Sequence, residues 1–290
     1  AETGHIVGMG LPDMVGPLHR TGAIGDETPV APLVQHGSRL VIAHRGTAGQ
    51  RPENTIVAFD RAVELGSDGI EMDVRVTDDD VPVIVHDPST GRIGDADVAI
   101  EANPLAAVQR VDAGFRFTTD GGLSHPWRGK GVIVPTLAEV LERFPSTPIL
   151  LELKSARRQQ AVRTVLDSYG AWNRVVVASS LHGALRVFRD GRYYRSASRR
   201  EIGWWYFGSA LGLWPGPPGY QVLSIPERKG PLELLARHAV AAARQAGIPI
   251  HVWTIDEPAT ARRLWQAGAT GIITNVPDRI IAVRSETNTA

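Results

Sequence analysis

The chain has 290 residues, with 31 Lys and Arg against 31 Asp and Glu, so its formal charge at neutral pH is zero. That balance gives no long-range pull toward nucleic acid or an anionic membrane, and the length suits one barrel with a sizeable core. Cysteine is absent, which excludes disulfides, thiolate catalysis and sulfur-held metals, and no apolar run of about 18 residues predicts a transmembrane segment.

Residues 1–37 are rich in Gly, Pro and Thr without a sustained period, which predicts an extended arm over one end of the domain. The chain opens at Ala1 without a basic-then-apolar leader, as a secreted protein would after signal-peptide removal. Regular structure is expected from Arg39 to Ala43, a short buried strand ending in His44-Arg45-Gly46. After Pro52-Glu53, either Asn54 or Thr55 caps a helix through Ile56, Phe59, Ala62, Val63 and Leu65, stopped by Gly66. Strand, polar loop, helix and strand make the βαβ unit of a parallel sheet.

Gly69–Val76 and Val81–Asp87 flank a cluster of aspartates and read as a β-hairpin. With Asp78 and Asp79 as the two turn residues, Asp73 faces Ile84 and Glu71 faces His86. Opposed residues share a face, about 5 Å apart at Cβ. Glu71, Asp73 and His86 would then converge, a grouping suited to a hard divalent cation beside a proton-transfer group.

Residues 88–131 are too long for a simple loop and read as an insertion over the active-site end, with a short helix near Pro104–Val111. A helix from Pro135 to Phe144 and a strand from Pro148 to Lys154 follow. Next come a helix from Arg157 to Tyr169, a strand Val175–Ala178, a helix Leu181–Phe188 and a short strand near Tyr193. An aromatic loop precedes a strand Tyr220–Ile225, a helix Leu232–Ala246, a strand Ile250–Thr254, a helix Ala259–Ala267 and a strand Gly271–Thr274. That makes about nine strands, one more than a closed barrel of eight needs, and the return arm of the hairpin is the surplus. The predicted fold is α/β: a single TIM-type (β/α)8 barrel over residues 38–285.

In such a barrel the C-terminal strand ends line the active site. Here those ends carry His44 and Arg45, Glu71 and Asp73, His86, Glu152 and Lys154, Trp253, and Thr274-Asn275. The ordered set His44-Arg45-Gly46, Pro52-Glu53-Asn54-Thr55, Gly69-Ile70-Glu71-Met72-Asp73-Val74, Val85-His86-Asp87, Glu152-Leu153-Lys154, Val252-Trp253-Thr254 and Gly271–Asn275 resembles the glycerophosphodiester phosphodiesterase family from about residue 39 to 280. The chain departs at Asp79-Asp80, where a glycine is usual in that family, and at Asn275, where Asp is common; neither is expected to carry chemistry.

The resemblance implies a TIM barrel with a small cap inserted after the His-Asp motif. It implies that Glu71, Asp73 and Glu152 hold one divalent cation, Mg²⁺ or Ca²⁺. Arg45 and Lys154 would stabilise charge developing on phosphate. His44 and His86 would divide the proton work, the acid and the base undecided between them. The implied reaction cleaves the head-group side of a glycerophosphodiester, releasing an alcohol such as choline or ethanolamine. Glu53 and Asn54 read as structural, a partner for Arg45 and a helix cap, and His251 as a core histidine.

Gly203–Tyr220 concentrates Trp204, Trp205, Phe207 and Trp214. With Trp253 they are expected to form an apolar wall for a substrate chain, or a surface in transient contact with a lipid interface. Such a wall favours lysophospholipids, as for a lysophospholipase D, and raises a cyclic-phosphate product like that of the related sphingomyelinase D enzymes. The competing class is a barrel that binds phosphorylated lipid or glycerol without cleaving it; an acid–base pair would be superfluous there.

Overall fold

The structure is a computed structural model that describes residues 32–286 apart from His36 and Pro218. The arm expected over residues 1–37 therefore lies outside the described residues as far as position 31. In chain order the first half comprises β1 (Leu40–His44), α1 (Ile56–Glu64), β2 (Gly69–Val76), β3 (Pro82–Ile84), α2 (Leu105–Val108), α3 (Leu137–Arg143) and β4 (Ile149–Leu153). There follow α4 (Gln159–Ser168), β5 (Val175–Ala178), β6 (Tyr194–Arg195), α5 (Arg199–Ala210), β7 (Leu223–Pro226), β8 (Arg228–Lys229) and β9 (Leu232–Glu233). The last elements are α6 (Arg237–Gln245), β10 (Ile250–Trp253), α7 (Pro258–Ala267), β11 (Gly271–Thr274) and α8 (Pro277–Glu286).

Eight parallel strands run in the order β6-β5-β4-β2-β1-β11-β10-β7, and β3 hangs off β2 as the antiparallel ninth. One parallel bridge, Ser196 to Val222, joins the two edge strands. Gln221 N–H donates to Arg195 C=O and Ala197 N–H to Val222 C=O, each at 2.9 Å, so the sheet closes into a ring. The surplus strand is the return arm of the hairpin, as its antiparallel geometry demanded.

Side-chain alternation sorts the core. In β4, Ile149, Leu151 and Leu153 pack outward against the helices, while Leu150 joins Ile42, Val176 and Ile273 inside the barrel. Leu33, from a single 3-10 turn at Pro32–Val34, is fully buried with that interior group. A Cβ on Gly69 would stand 2.9 Å from the Leu33 side chain, so the close approach needs glycine there.

His251 is also buried inside the barrel, and burial pushes its pKa down to about 4. A lowered folded pKa means that the unfolded chain binds the proton first as pH falls. Stability is therefore full above the ordinary histidine value and drains between pH 6.5 and about 4. Wild type should lose about 3 kcal/mol over that window beyond what a His251→Gln variant loses, in urea unfolding at both pH values. Equal losses would remove His251 as the cause.

The hairpin register differs from the expected one. Thr77 N–H bonds Val81 C=O at 3.0 Å, so the turn spans Asp78, Asp79 and Asp80. Asp80 takes the left-handed conformation at φ 60, the usual third position of a three-residue hairpin loop. Every pairing shifts by one: Val74 faces Ile84, and β3 ends there. His86 therefore does not oppose Glu71 in a ladder; it reaches the site only because the chain has already left the sheet.

Several helix limits also move. α4 begins at Gln159 because Arg158 adopts φ 55, and Leu181–Phe188 reduces to a 3-10 turn at Ala184–Phe188. Residues 232–246 begin with β9, the return arm of a short β8–β9 hairpin, before α6. The aromatic loop is in fact helix α5 up to Ala210, opened by a capping box in which Ser198 and Glu201 satisfy each other's backbone N–H groups. Among the described residues no helix is long and apolar enough to cross a membrane.

Candidate active site

Glu71 and Asp73 point into the barrel from β2, and Glu152 joins them from β4, where Asp73 and Glu152 are register partners. One carboxylate oxygen from each lies within 4.8 Å of the others. Burial, then repulsion from Asp73 and Glu152, pushes the Glu71 carboxyl well above the usual carboxylate range. Burial would raise Asp73 too, but Lys154, Arg45 and Asn54 hold it below its ordinary value.

The cations are seated on the same carboxylates. Lys154 Nζ lies 2.9 Å from both Asp73 Oδ1 and Glu152 Oε2, and Arg45 Nε 3.0 Å from Asp73 Oδ2. Burial opposes the Lys154 charge, yet Asp73 and Glu152 outweigh it and raise the ammonium pKa. Arg45 turns sharply at the end of β1 with φ 51, which aims its backbone N–H at Glu71 Oε2, 3.0 Å away. Gly46 follows at φ 81, where an added Cβ would come within 2.7 Å of the Ala58 backbone.

Asn54, expected to cap α1, has another task. Its Nδ2 donates to Asp73 Oδ2 at 2.9 Å and its Oδ1 accepts from Asp73 backbone N–H at 3.2 Å, which holds that residue by side chain and main chain together. The cap position belongs to Thr55. Glu53 does pair with Arg45, at 2.9 Å, and also takes two contacts from Arg92 of the segment after β3.

Each histidine has one nitrogen occupied. His44 Nδ1 is 2.8 Å from Asn275 Oδ1, and Asn275 Nδ2 donates to Asp256 Oδ2 at 2.8 Å. With its amide N–H committed to Asp256, Asn275 can only accept, so Nδ1 of His44 carries the proton and Nε2 is left for the cavity. Nε2 sits 3.8 Å from Glu71 Oε2. Burial, then the Arg45 charge, lower the His44 pKa, against a smaller pull from Asn275. His86 Nδ1 is 2.6 Å from Asp87 Oδ1, and Asp87 in turn is held by Arg92. Asn275, set aside on sequence grounds, is thus a positioning residue. Asn275→Ala should cost about 10–100-fold in kcat with KM little changed, and an unaltered kcat in steady-state kinetics would reject the role.

These groups border one cavity of about 430 Å³ that takes in His44, Arg45, Glu71, His86, Glu152 and Lys154. Its far wall holds Ser196, Ser224, Ile202, Leu234, Arg199 and Lys229. Of the five aromatic candidates only Trp253 lines it. Trp204 and Phe207 open onto a separate groove on the barrel flank. Trp205 is fully buried, donating from Nε1 to Ala239 C=O at 3.1 Å, and Trp214 is half-buried against the α5–α6 packing. The expected aromatic wall is therefore dispersed by the helix, whose turns send neighbouring aromatics to different faces.

A closed ring of parallel strands with histidines, carboxylates and paired cations at its C-terminal end has the layout of a barrel-enzyme active site. The match to the glycerophosphoryl diester phosphodiesterase family runs from residue 44 to 279. The chain is similar to a glycerophosphodiester phosphodiesterase of Caldanaerobacter subterraneus, 30% identical over 250 residues, covering 83% of this chain and 96% of that protein. It is similar to a human lysophospholipase D at 26% identity, covering 82% and 84% of the two chains. A phosphodiesterase of Oleispira antarctica, solved with its product sn-glycerol-3-phosphate, superposes with a TM-score of 0.69 at 25% identity, covering 86% of this chain and 97% of that one. The chain belongs to the glycerophosphoryl diester phosphodiesterase family and is a phosphoric diester hydrolase.

Proposed function

We propose that the chain hydrolyses glycerophosphodiesters on the head-group side, to an alcohol and a glycerol phosphate, with one divalent cation, Mg²⁺ or Ca²⁺. The observation that carries this is the convergence of two histidines, three carboxylates and two cations on one cavity. The donor set fits such an ion. It is all oxygen, as hard cations require, and the three carboxylates outnumber Arg45 and Lys154 by one charge. Burial first, and then repulsion from Asp73 and Glu152, raises the Glu71 carboxyl at the same place. Glu71, Asp73 and Glu152 would hold the ion, which when bound supplies Lewis-acid stabilisation of the phosphoryl oxygens.

The protein's own groups then divide the work. Arg45 and Lys154 face the developing charge on phosphate from fixed ion pairs, so they need little reorganisation as the reaction proceeds. His44, with a neutral amide on Nδ1, is suited to accept the proton of the attacking water at Nε2. His86, its ring fixed through Nδ1 by the Asp87 carboxylate, is suited to give its Nε2 proton to the leaving alcohol. The segment over residues 88–131 acts in this reading as a cap, because Arg92 ties it to Asp87 and Glu53.

A second substrate, a lysophospholipid, is supported by Ile202, Leu234 and Trp253 on the cavity wall and by the similarity to a lysophospholipase D. Product analysis with glycerophosphocholine beside a long-chain lysophosphatidylcholine decides between them. Choline and glycerol phosphate from the first substrate are expected; no turnover of either would overturn the assignment. A cyclic phosphate in place of the open product would make the substrate's own hydroxyl the nucleophile.

A further inference from the structure

The helical ring of the barrel is thin at one place. The β5–β6 connection carries only the short 3-10 turn Ala184–Phe188, and beside it an open groove of about 930 Å³ separates that turn from α5. His182, Arg189, Arg200, Trp204 and Phe207 line it. Arg200, Trp204, Phe207 and Leu211 recur at the spacing of one helical face. That face is bare: Trp204 is 50% exposed, Phe207 57%, Leu211 71%, and Leu213 just beyond the helix 61%. α5 also buries Trp205, so it carries large apolar side chains on its inner side as well as on this bare one. Packing explains the inner side alone.

The charges around the stripe have one sign. Arg186, Arg199 and Arg200 are exposed and make no ion pair with a described carboxylate, and Arg189 contacts only the His182 ring, at 2.5 Å. The nearby acids are already neutralised. Glu201 is clasped by Arg195 at 2.8 and 3.0 Å, and Asp190 by Arg163 at 2.6 Å. An apolar stripe edged by unpaired arginines is complementary to the boundary between anionic headgroups and acyl chains. The whole chain is neutral, so attraction acts only within about a Debye length, roughly 8–10 Å.

We propose that this face docks on a membrane surface bearing anionic phospholipid. Arg189 and Arg200 take a headgroup phosphate in the groove while Trp204, Phe207, Leu211 and Leu213 enter the interface. The helix that carries the stripe also lends Arg199 and Ile202 to the catalytic cavity, so docking brings the cavity mouth to the lipid surface. The proposal stands independently of which diester is cleaved.

Co-sedimentation of the full chain with vesicles tests it. Vesicles of mixed phosphatidylglycerol and phosphatidylcholine should bind at least tenfold more tightly than pure phosphatidylcholine, and the difference should shrink at high salt. The double variants W204S/F207S and R189E/R200E should each weaken binding to the mixed vesicles by tenfold or more. Both should hydrolyse water-soluble glycerophosphocholine at the wild-type rate. Absent vesicle binding, equal binding to both vesicle types, or wild-type binding by both variants overturns the proposal. So does a wild-type dimer in analytical ultracentrifugation that W204S/F207S dissolves, because a second copy would then own the face. Failure of wild type to cleave glycerophosphocholine would instead count against the catalytic reading alone.

Discussion

His86→Ala is expected to lower kcat on a glycerophosphodiester by about 10²–10⁴-fold, with KM changing far less. The leaving alkoxide of an unactivated alcohol is a strong base, and without a proton donor the P–O bond must break against that cost. His86 is half-buried at the cavity rim, with Asp87 fixing its ring at 2.6 Å. Among the described residues no other histidine besides His44 borders the cavity, so none of them can substitute. The role predicts a selective rescue: a substrate with an acidic leaving group, such as a nitrophenyl phosphodiester, needs no protonation. His86→Ala should keep most of its activity on that substrate, whereas His44→Ala should lose activity on both. Equal losses on the two substrates in the His86 variant would make it a structural residue.

Stripping divalent ions with EDTA is expected to reduce turnover to about a hundredth or less, and Mg²⁺ or Ca²⁺ should restore it. Undiminished activity in EDTA would end the metal assignment. The matching variants must be chosen with the ion pairs in mind. Asp73→Ala would leave Lys154 and Arg45 without their shared buried partner, a loss of about 3–5 kcal/mol that would confuse folding with function. Glu71→Gln avoids this, since the Glu71 carboxyl accepts from the neutral backbone N–H of Arg45 and, among the described residues, makes no ion pair with a guanidinium or ammonium. Glu71→Gln should keep its thermal midpoint but lose the midpoint increase that Mg²⁺ or Ca²⁺ gives wild type. That readout needs no activity at all.

Much of the barrel was legible because buried parallel strands read as short apolar runs, and their charged ends announce the catalytic face. Val175–Ala178 and Gly271–Thr274 fall where the apolar runs put them. The hairpin was misplaced by one residue because an aspartate cluster does not state how many of its members form the turn; only Asp80 in the left-handed region decides it. α5 was hidden by its composition, since aromatics on both faces erase helical periodicity. The Ser198–Glu201 capping box was the signal that could have found it. The positioning residues were out of reach for another reason. Asn275 lies 231 residues from His44, and Asn54 lies 19 from Asp73, and such pairs exist only once the chain segments that carry them are side by side.

The Leu33 stopper bears on traffic as well as on stability. With Leu33, Ile42, Leu150 and Ile273 filling the barrel interior, the reaction chamber is a blind well. Two products must then exit past the rim that admitted one substrate. With His86 as the proposed proton donor, the alcohol would be released nearer that rim and the glycerol phosphate deeper, against the carboxylates. Departure should be sequential, the alcohol first, with glycerol phosphate competing against fresh substrate and the alcohol doing so only weakly.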